Sequence, residues 1–434
     1  MKILIVSYQF PPMGGVGVQR ALSFARYLPE CGFEEVHVLR AWNGVSAVSD
    51  PGLVRHIPSG VKVHDAFTPE LPFRFRQQLW KLFSGGARPQ RTNTVDGNGT
   101  LNWRRVPVEI ARRVFCPEPE VVWVPFALRR ARKIVKQYGI DVVLVTAPPF
   151  SAFLVGTALK EQFPHIKLVT DFRDDWLRFY LGTFDYQNSD YTRRRAVAIE
   201  RRTIELSDLA VVVTHTMLDD IRDRYPDQDA HKFALLPNGY EPTSFGAFRP
   251  PTRSGDKIVV SHVGTVYSAS SARYFLDALD DMPEEVRSAI ETRFIGRVAD
   301  DEQGFLESRK TTVRSLGFRP QAEALALMQE SDYLLLTMTD AASLTGKIFD
   351  YMAVGRPILA IAPQDGEVAR IVQQTRTGRC VAPGDRSGIR DLLTEAYRQL
   401  RDGGNDFQPD WEAIRRYERP RLAAELAQLI QRIQ

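Results

Sequence analysis

Strand-length apolar runs alternate with amphipathic helix-length segments along almost the whole chain, and this alternation is what most limits its possible folds. Runs such as KILIVSY (2–8), DVVLVTA (141–147) and DYLLLTM (332–338) are nearly continuous in apolar residues. Strands buried on both faces read this way, and in strand–helix–strand order they predict parallel sheets covered by helices. A first series comprises 2–8, a helix from Gln19 to Cys31 stopped by Gly32, then 36–39, 141–147, 167–172, 209–214 and 233–237. Gly246, Pro250, Pro251 and Gly255 mark a polar linker, after which strands at 257–264, 293–296, 313–318, 332–338 and 357–362 repeat the architecture. The reading is α/β, with one domain over 1–245, interrupted by an insertion at about 67–116 and completed by a terminal helix over 411–434. The second domain covers 246–410.

Other classes are excluded by what the chain contains. No apolar run approaches the roughly 20 residues of a spanning helix. The first strand begins at Lys2, which reads as no secretory leader. Cys31, Cys116 and Cys380 form neither a disulfide framework nor a metal pattern, and fit a reduced, cytoplasmic setting. The seven histidines are scattered, so no metal or other cofactor is expected, and no P-loop or GxSxG elbow occurs. Net charge is only +4, but 14 Lys/Arg against four acids fall between Phe73 and Lys136, interleaved with Phe75, Leu79, Trp80 and Phe83. The two readings of that stretch are a solvated loop and a peripheral contact with an anionic membrane surface at its inner face. No nucleic-acid partner is expected.

Two segments carry chemistry. In SYQFPPMGGVGVQR (7–20), a strand enters a loop with Gly14, Gly15 and Gly17 and then a helix, where backbone can approach an anion closely. Arg20 takes the place of the third glycine of a dinucleotide fingerprint and no acid ends the second strand, which disfavours a nicotinamide or flavin enzyme. In SLTGKIFDYMAVGRPILAIA (343–362), a small-residue loop opens a helix. The N–H groups of Leu344, Thr345 and Gly346, the charge of Lys347 and the carboxylate of Asp350 suit a diphosphate at the helix end and a ribose diol beside it. The competing reading of Asp350 is stabilisation of the helix dipole alone.

PPMGGVGVQR, APPFS (147–151), DFRDDW (171–176), LPNGY (236–240), HVGT (262–265) and GKIFDYMAVGRPI (346–358), taken in order, resemble the retaining glycosyltransferases of the group 1 / family 4 type, in their bacterial polysaccharide-biosynthesis branch. The resemblance implies the GT-B fold, two Rossmann-like domains facing across a cleft. It further implies transfer of a hexose from a nucleotide sugar to a hydroxyl, with a lipid-linked saccharide as acceptor. It places Gly14, Gly15, Arg20, Gly264, Thr265 and Arg297 near the donor, Phe318 and Arg319 at the base, and Asp350 at the ribose. Arg173 and Asp174 fall at the reacting sugar. The chain departs from the family where Ala342 replaces the first acid of a Glu-x7-Glu pair, and where Thr265 and Ser270 replace an Arg and a Lys that grip the diphosphate. Lys347, Arg20, Arg273 and Arg297 are the candidate substitutes. These gaps keep a non-catalytic sugar-nucleotide-binding subunit in view, alongside a sugar-nucleotide epimerase whose paired acids cannot be placed.

Overall fold

The computed structural model describes residues 1–44, 49–69, 113–180, 189–245, 257–401 and 407–433. Most of the expected insertion and the linker at 246–255 lie outside the described residues. The chain divides into two compact units, one of residues 1–237 and 423–434 and one of residues 238–422.

The first unit is built on a seven-stranded parallel sheet in the order β3-β2-β1-β4-β5-β6-β7. Its strands are β1 (Lys2–Val6), β2 (Glu35–Ala41), β3 (Lys62–Ala66), β4 (Val142–Ala147), β5 (Lys167–Phe172), β6 (Leu209–Val212) and β7 (Phe233–Leu235). The central strands β1 and β4 pair from Ile3–Val142 to Val6–Val145, and every residue of β4 is buried. That is why their sequences carry no polar alternation. Helix α1 (Val16–Tyr27) follows β1, α2 (Val124–Tyr138) precedes β4, and α3 (Phe153–Gln162) follows it.

The second unit holds a six-stranded parallel sheet in the order β10-β9-β8-β11-β12-β13. The strands are β8 (Ile258–Val263), β9 (Ile290–Ile295), β10 (Thr312–Gly317), β11 (Tyr333–Thr337), β12 (Ile358–Ile361) and β13 (Gly378–Val381). Successive side chains on β11 feed opposite cores, as the two-residue period of a strand requires. Leu335 packs with Val260, Phe275, Leu276 and Leu393, while Leu334 and Leu336 pack with Ile348, Met352 and Val368. Helix α4 (Lys347–Val354) follows β11 and ends at Gly355, which takes the left-handed conformation at φ 72°.

The single terminal helix expected from 411 is two helices, Trp411–Arg415 and α5 (Arg419–Arg432). Asp410 caps the first through the Ala413 N–H at 3.0 Å, and Pro420, which cannot continue an α-helix from within, sits in the first turn of the second.

Candidate functional site

In both sheets the strand order reverses beside the first strand of the series, between β1 and β4 and between β8 and β11. Open parallel sheets bind ligands outside the carboxyl ends of their strands at such a reversal. The candidate residues sort onto these two sheet ends.

In the second unit, β8 and β9 are followed directly by Gly264 and Gly296, and β10 ends at Gly317. The Gly264 N–H donates to Ile295 O at 2.8 Å and the Gly296 N–H to Gly317 O at 2.9 Å. Gly264 has φ 122°, a conformation that disfavours any side chain, so the end of β8 stays bare. Across the reversal, the loop after β11 leads to α4. Among the described residues the backbone N–H groups of Leu344, Thr345 and Gly346 make no hydrogen bond. They stand at the positive end of the helix dipole, an arrangement suited to an anion.

The side chains of α4 complete this end. Tyr351 is fully buried and bolts the helix to β8, its hydroxyl accepting the Val263 N–H at 2.7 Å. Lys347 Nζ lies 3.1 Å from His262 Nε2 and 3.2 Å from Ser270 Oγ, and burial of that ammonium end pushes its pKa down to about 8. The resemblance expected a cation at Ser270; the Lys347 ammonium stands beside it. Asp350, one turn into α4, makes no hydrogen bond or ion pair among the described residues. Burial pushes its carboxyl up to about 6, with the charge of Arg419 pulling the other way.

The remaining expected residues of this unit lie on the rim. Thr265 and Arg297 are exposed, and Arg319 is a loose partner of Glu323 at 3.8 Å. Phe318 is 78% exposed, a large apolar surface left open directly after the Gly317 turn. Arg273 is committed to Glu302 at 3.1 Å.

In the first unit, Gly14 and Gly15 lie in the loop after β1, Gly15 exposed with φ 100° at the N-terminus of α1. Arg20 faces inward instead: its guanidinium is buried on the Asp171 carboxylate and on Leu236 O and Pro237 O. Arg173 is also buried, donating to Ala147 O at 3.2 Å and to Gly17 O and Pro148 O, so it laces together the loops after β1 and β4. Asp174 beside it is exposed; the protein around it pushes its carboxyl up, and Arg173 opposes that push.

Sequence reasoning missed Glu118. Its buried carboxyl accepts the Ser151 N–H at 2.6 Å, at the start of the helical run that becomes α3, and burial raises it to about 8. Nothing in the surrounding CPEPE distinguishes this acid from Glu120. His262 was also missed as a partner for Lys347, although its position at the end of a buried strand was the available signal.

Among the described residues no cluster of histidine, cysteine and acidic side chains could hold a metal ion, and no helix is long and apolar enough to cross a membrane.

Residues 82–244 match the family model described as Glycosyltransferase Family 4, and residues 257–399 match that of Glycosyl transferases group 1. No curated protein matches the sequence. Among solved structures, HepE from Anabaena in complex with UDP and glucose is 16% identical over all of both chains, with a TM-score of 0.60. Sucrose-phosphate synthase from Thermosynechococcus elongatus is 14% identical over 99% of this chain and 98% of its own, at 0.64. WaaG, a glycosyltransferase involved in lipopolysaccharide biosynthesis, is 15% identical over 99% and 98%, at 0.57. The fold is therefore GT-B, and the two family matches make the chain a glycosyltransferase. It carries a Family 4 glycosyltransferase domain followed by a group 1 glycosyl transferase domain.

Proposed function

We propose that this enzyme transfers a hexose from a nucleoside diphosphate sugar to a hydroxyl of a lipid-linked saccharide, with retention of configuration. The observation that carries the donor half is the carboxyl end of the second sheet. Three N–H groups unpaired among the described residues, an ammonium with no carboxylate partner among them and a carboxylate with no hydrogen bond among them lie at one helix terminus. The N–H groups of Leu344, Thr345 and Gly346 and the charge of Lys347 stabilise the departing diphosphate as its negative charge grows. Asp350 accepts from the ribose hydroxyls, and the exposed Phe318 gives the base a stacking surface. Arg173 holds the loops that present Gly14, Gly15 and Asp174 to the reacting sugar. The leaving phosphate accepts the proton of the incoming hydroxyl.

The acceptor half rests on less: the basic, aromatic stretch of the first domain and the likeness to WaaG, whose description places it in lipopolysaccharide biosynthesis. A lipid-linked acceptor requires the enzyme to work at a membrane surface. Ala342, in place of the acid that would contact the donor sugar, favours a second reading, a subunit that binds sugar nucleotides without turning them over.

The test is a thermal-shift panel of UDP, GDP and ADP and their hexose conjugates, since binding to the native state raises the melting temperature. HepE, solved with UDP and glucose, makes UDP the first probe. Asp350→Asn should weaken binding about 10- to 100-fold, the range for a hydrogen bond to a charged group, with the fold intact. Equal binding by parent and variant would return Asp350 to a dipole-stabilising role. Hydrolysis or transfer of a bound sugar nucleotide separates the enzyme from the binding subunit, and NMR of the product's anomeric proton reads retention.

A further inference from the structure

We propose that His262 is a positioning residue for the donor site, holding the Lys347 ammonium over the bare end of β8 as the diphosphate-binding cation. This rests on the reading of that sheet end as a nucleotide site. The neighbouring cations are engaged or peripheral. Arg273 bonds to Glu302 and Asp301 O, Arg293 to Glu291 at 2.7 Å, Arg319 faces Glu323, and Arg297 is on the exposed rim. Lys347 differs, because both partners of its ammonium are neutral and it makes no ion pair among the described residues.

The ring chemistry fixes the arrangement. His262 is fully buried, and its Nδ1 lies 3.1 Å from Leu335 O. A carbonyl can only accept, so Nδ1 carries the proton and the neutral ring offers Nε2 as an acceptor. That acceptor receives a hydrogen bond from Lys347 Nζ at 3.1 Å. Burial and the adjacent ammonium both hold His262 well below the usual histidine range, against the opposing pull of the Leu335 and Thr265 backbone, so it stays neutral and does not compete for charge. Ser270 Oγ is the second acceptor, itself 3.3 Å from Thr337 Oγ1. Two of three ammonium donors are thus fixed by neutral groups, which orient the charge without cancelling it. Gly264 leaves it uncovered: a Cβ there would stand 3.2 Å from Nζ. The groups in contact with the ammonium are His262 from β8 and Ser270 from the loop after β8, and among the described residues no carboxylate bonds to it; Asp350 lies one turn along the same helix. A compact ammonium held this way is a point charge for phosphoryl oxygens.

The experiment is calorimetric titration of the full chain with UDP, GDP and ADP from pH 6 to 9.5, for the parent, Lys347→Gln, His262→Gln and His262→Asn. The tightest nucleoside diphosphate should bind the parent progressively more weakly above pH 8, by up to about tenfold per unit as the ammonium loses its proton. Lys347→Gln should bind about 10- to 100-fold more weakly, with a flat profile across that range. Gln at 262 puts an amide oxygen where Nε2 was and should keep most of the affinity and the inflection. Asn cannot reach, and should lose affinity and shift the inflection. If both variants at 262 keep the parental affinity and pH profile, or Lys347→Gln retains the inflection, the proposal fails while the nucleotide site stands. If no nucleoside diphosphate binds the parent, the nucleotide-site reading fails first and takes this inference with it.

Discussion

Arg20 closes on Asp171 through three hydrogen bonds of 2.8, 2.9 and 3.0 Å, joining residues 151 positions apart. Asp171 is wholly buried at the end of β5 and also accepts from Thr146 Oγ1 at 2.7 Å, while Arg20 donates onward to Leu236 O and Pro237 O. One guanidinium thereby ties α1 to β4, β5 and the chain leaving β7. A planar fork with five fixed donors can satisfy such a set; lysine could not.

Removing either partner should leave a buried charge without compensation. Arg20→Ala or Asp171→Asn should cost about 3–5 kcal/mol, read by urea denaturation. The double variant Arg20→Met with Asp171→Leu should recover much of that loss, since apolar replacement of a buried pair is often neutral. A single-variant cost below about 1 kcal/mol would mean that the pair does not hold the sheet end together.

A second buried pair makes stability depend on pH. His37 Nδ1 and His64 Nε2 are 2.9 Å apart with ring planes 1° from parallel, and His37 Nε2 faces Glu35 Oε2 at 3.4 Å. The Glu35 carboxylate therefore accepts from His37 Nε2–H, His37 Nδ1 accepts, and His64 Nε2–H donates. Burial lowers both histidines, His64 to about 4 from the ordinary 6.5. The folded state thus prefers them neutral. Its advantage is intact above pH 6.5 and lost as pH falls toward about 4, where the unfolded chain binds protons that the folded chain refuses. Melting temperatures measured from pH 7 to 4 should fall less steeply for His64→Gln than for the parent. Identical slopes would show that the pair contributes nothing to acid sensitivity.

The central strands were readable because burial on both faces leaves an uninterrupted apolar run. The edge strands β3 and β13 were not. KVHDA and GRCV each keep polar residues on their more open positions, and no periodicity separates them from loop. Helix α4 was equally legible from its small-residue loop and Gly355 stop. What the sequence could not reveal was the partner that each cation takes. Arg20 and Lys347 both lie within the first two turns of a helix that follows a glycine-containing loop, yet one is directed onto an acid far along the chain and the other onto a histidine. Only long-range pairing decides between them.

The terminal helix α5 places Leu422, Leu426 and Ile430 at 4%, 0% and 0% exposure, spaced one turn apart on one face. Residues 423–434 belong to the first compact unit, where Gln431 lies beside Gly32. Ending the chain at Glu418 should uncover that apolar face and give insoluble protein. Leu426→Ala is the milder test and should cost about 2–5 kcal/mol as a buried large-to-small change. Soluble truncated protein with parental UDP binding would show that the helix is dispensable.

The peripheral-membrane reading can be tested on the end of the basic stretch between Phe73 and Lys136, because its part up to residue 112 lies outside the described residues. Helix α2 carries Arg129, Arg130, Arg132, Lys133 and Lys136, all exposed, and its sequence contains no acid. Phe126, Arg130 and Lys133 follow one another along a single face at three- and four-residue spacing. Phe126 is 42% exposed and meets Phe67, 45% exposed, edge-on at 5.5 Å; Trp42, beyond β2, is 64% exposed. Cations beside open aromatic rings suit an anionic headgroup layer, where each Lys or Arg contributes about 1 kcal/mol and the rings enter the interface. Such docking is reversible and screened by salt. The protein should therefore cosediment with vesicles containing phosphatidylserine, fail to do so with phosphatidylcholine alone, and come off in 1 M salt, roughly a 3 Å Debye length. Arg130→Glu with Lys133→Glu should reduce recovery several-fold while leaving UDP affinity unchanged, because neither residue belongs to the donor sheet end. Equal recovery with both vesicle types, or none with either, would make α2 a solvated face and leave the acceptor to be sought among soluble saccharides.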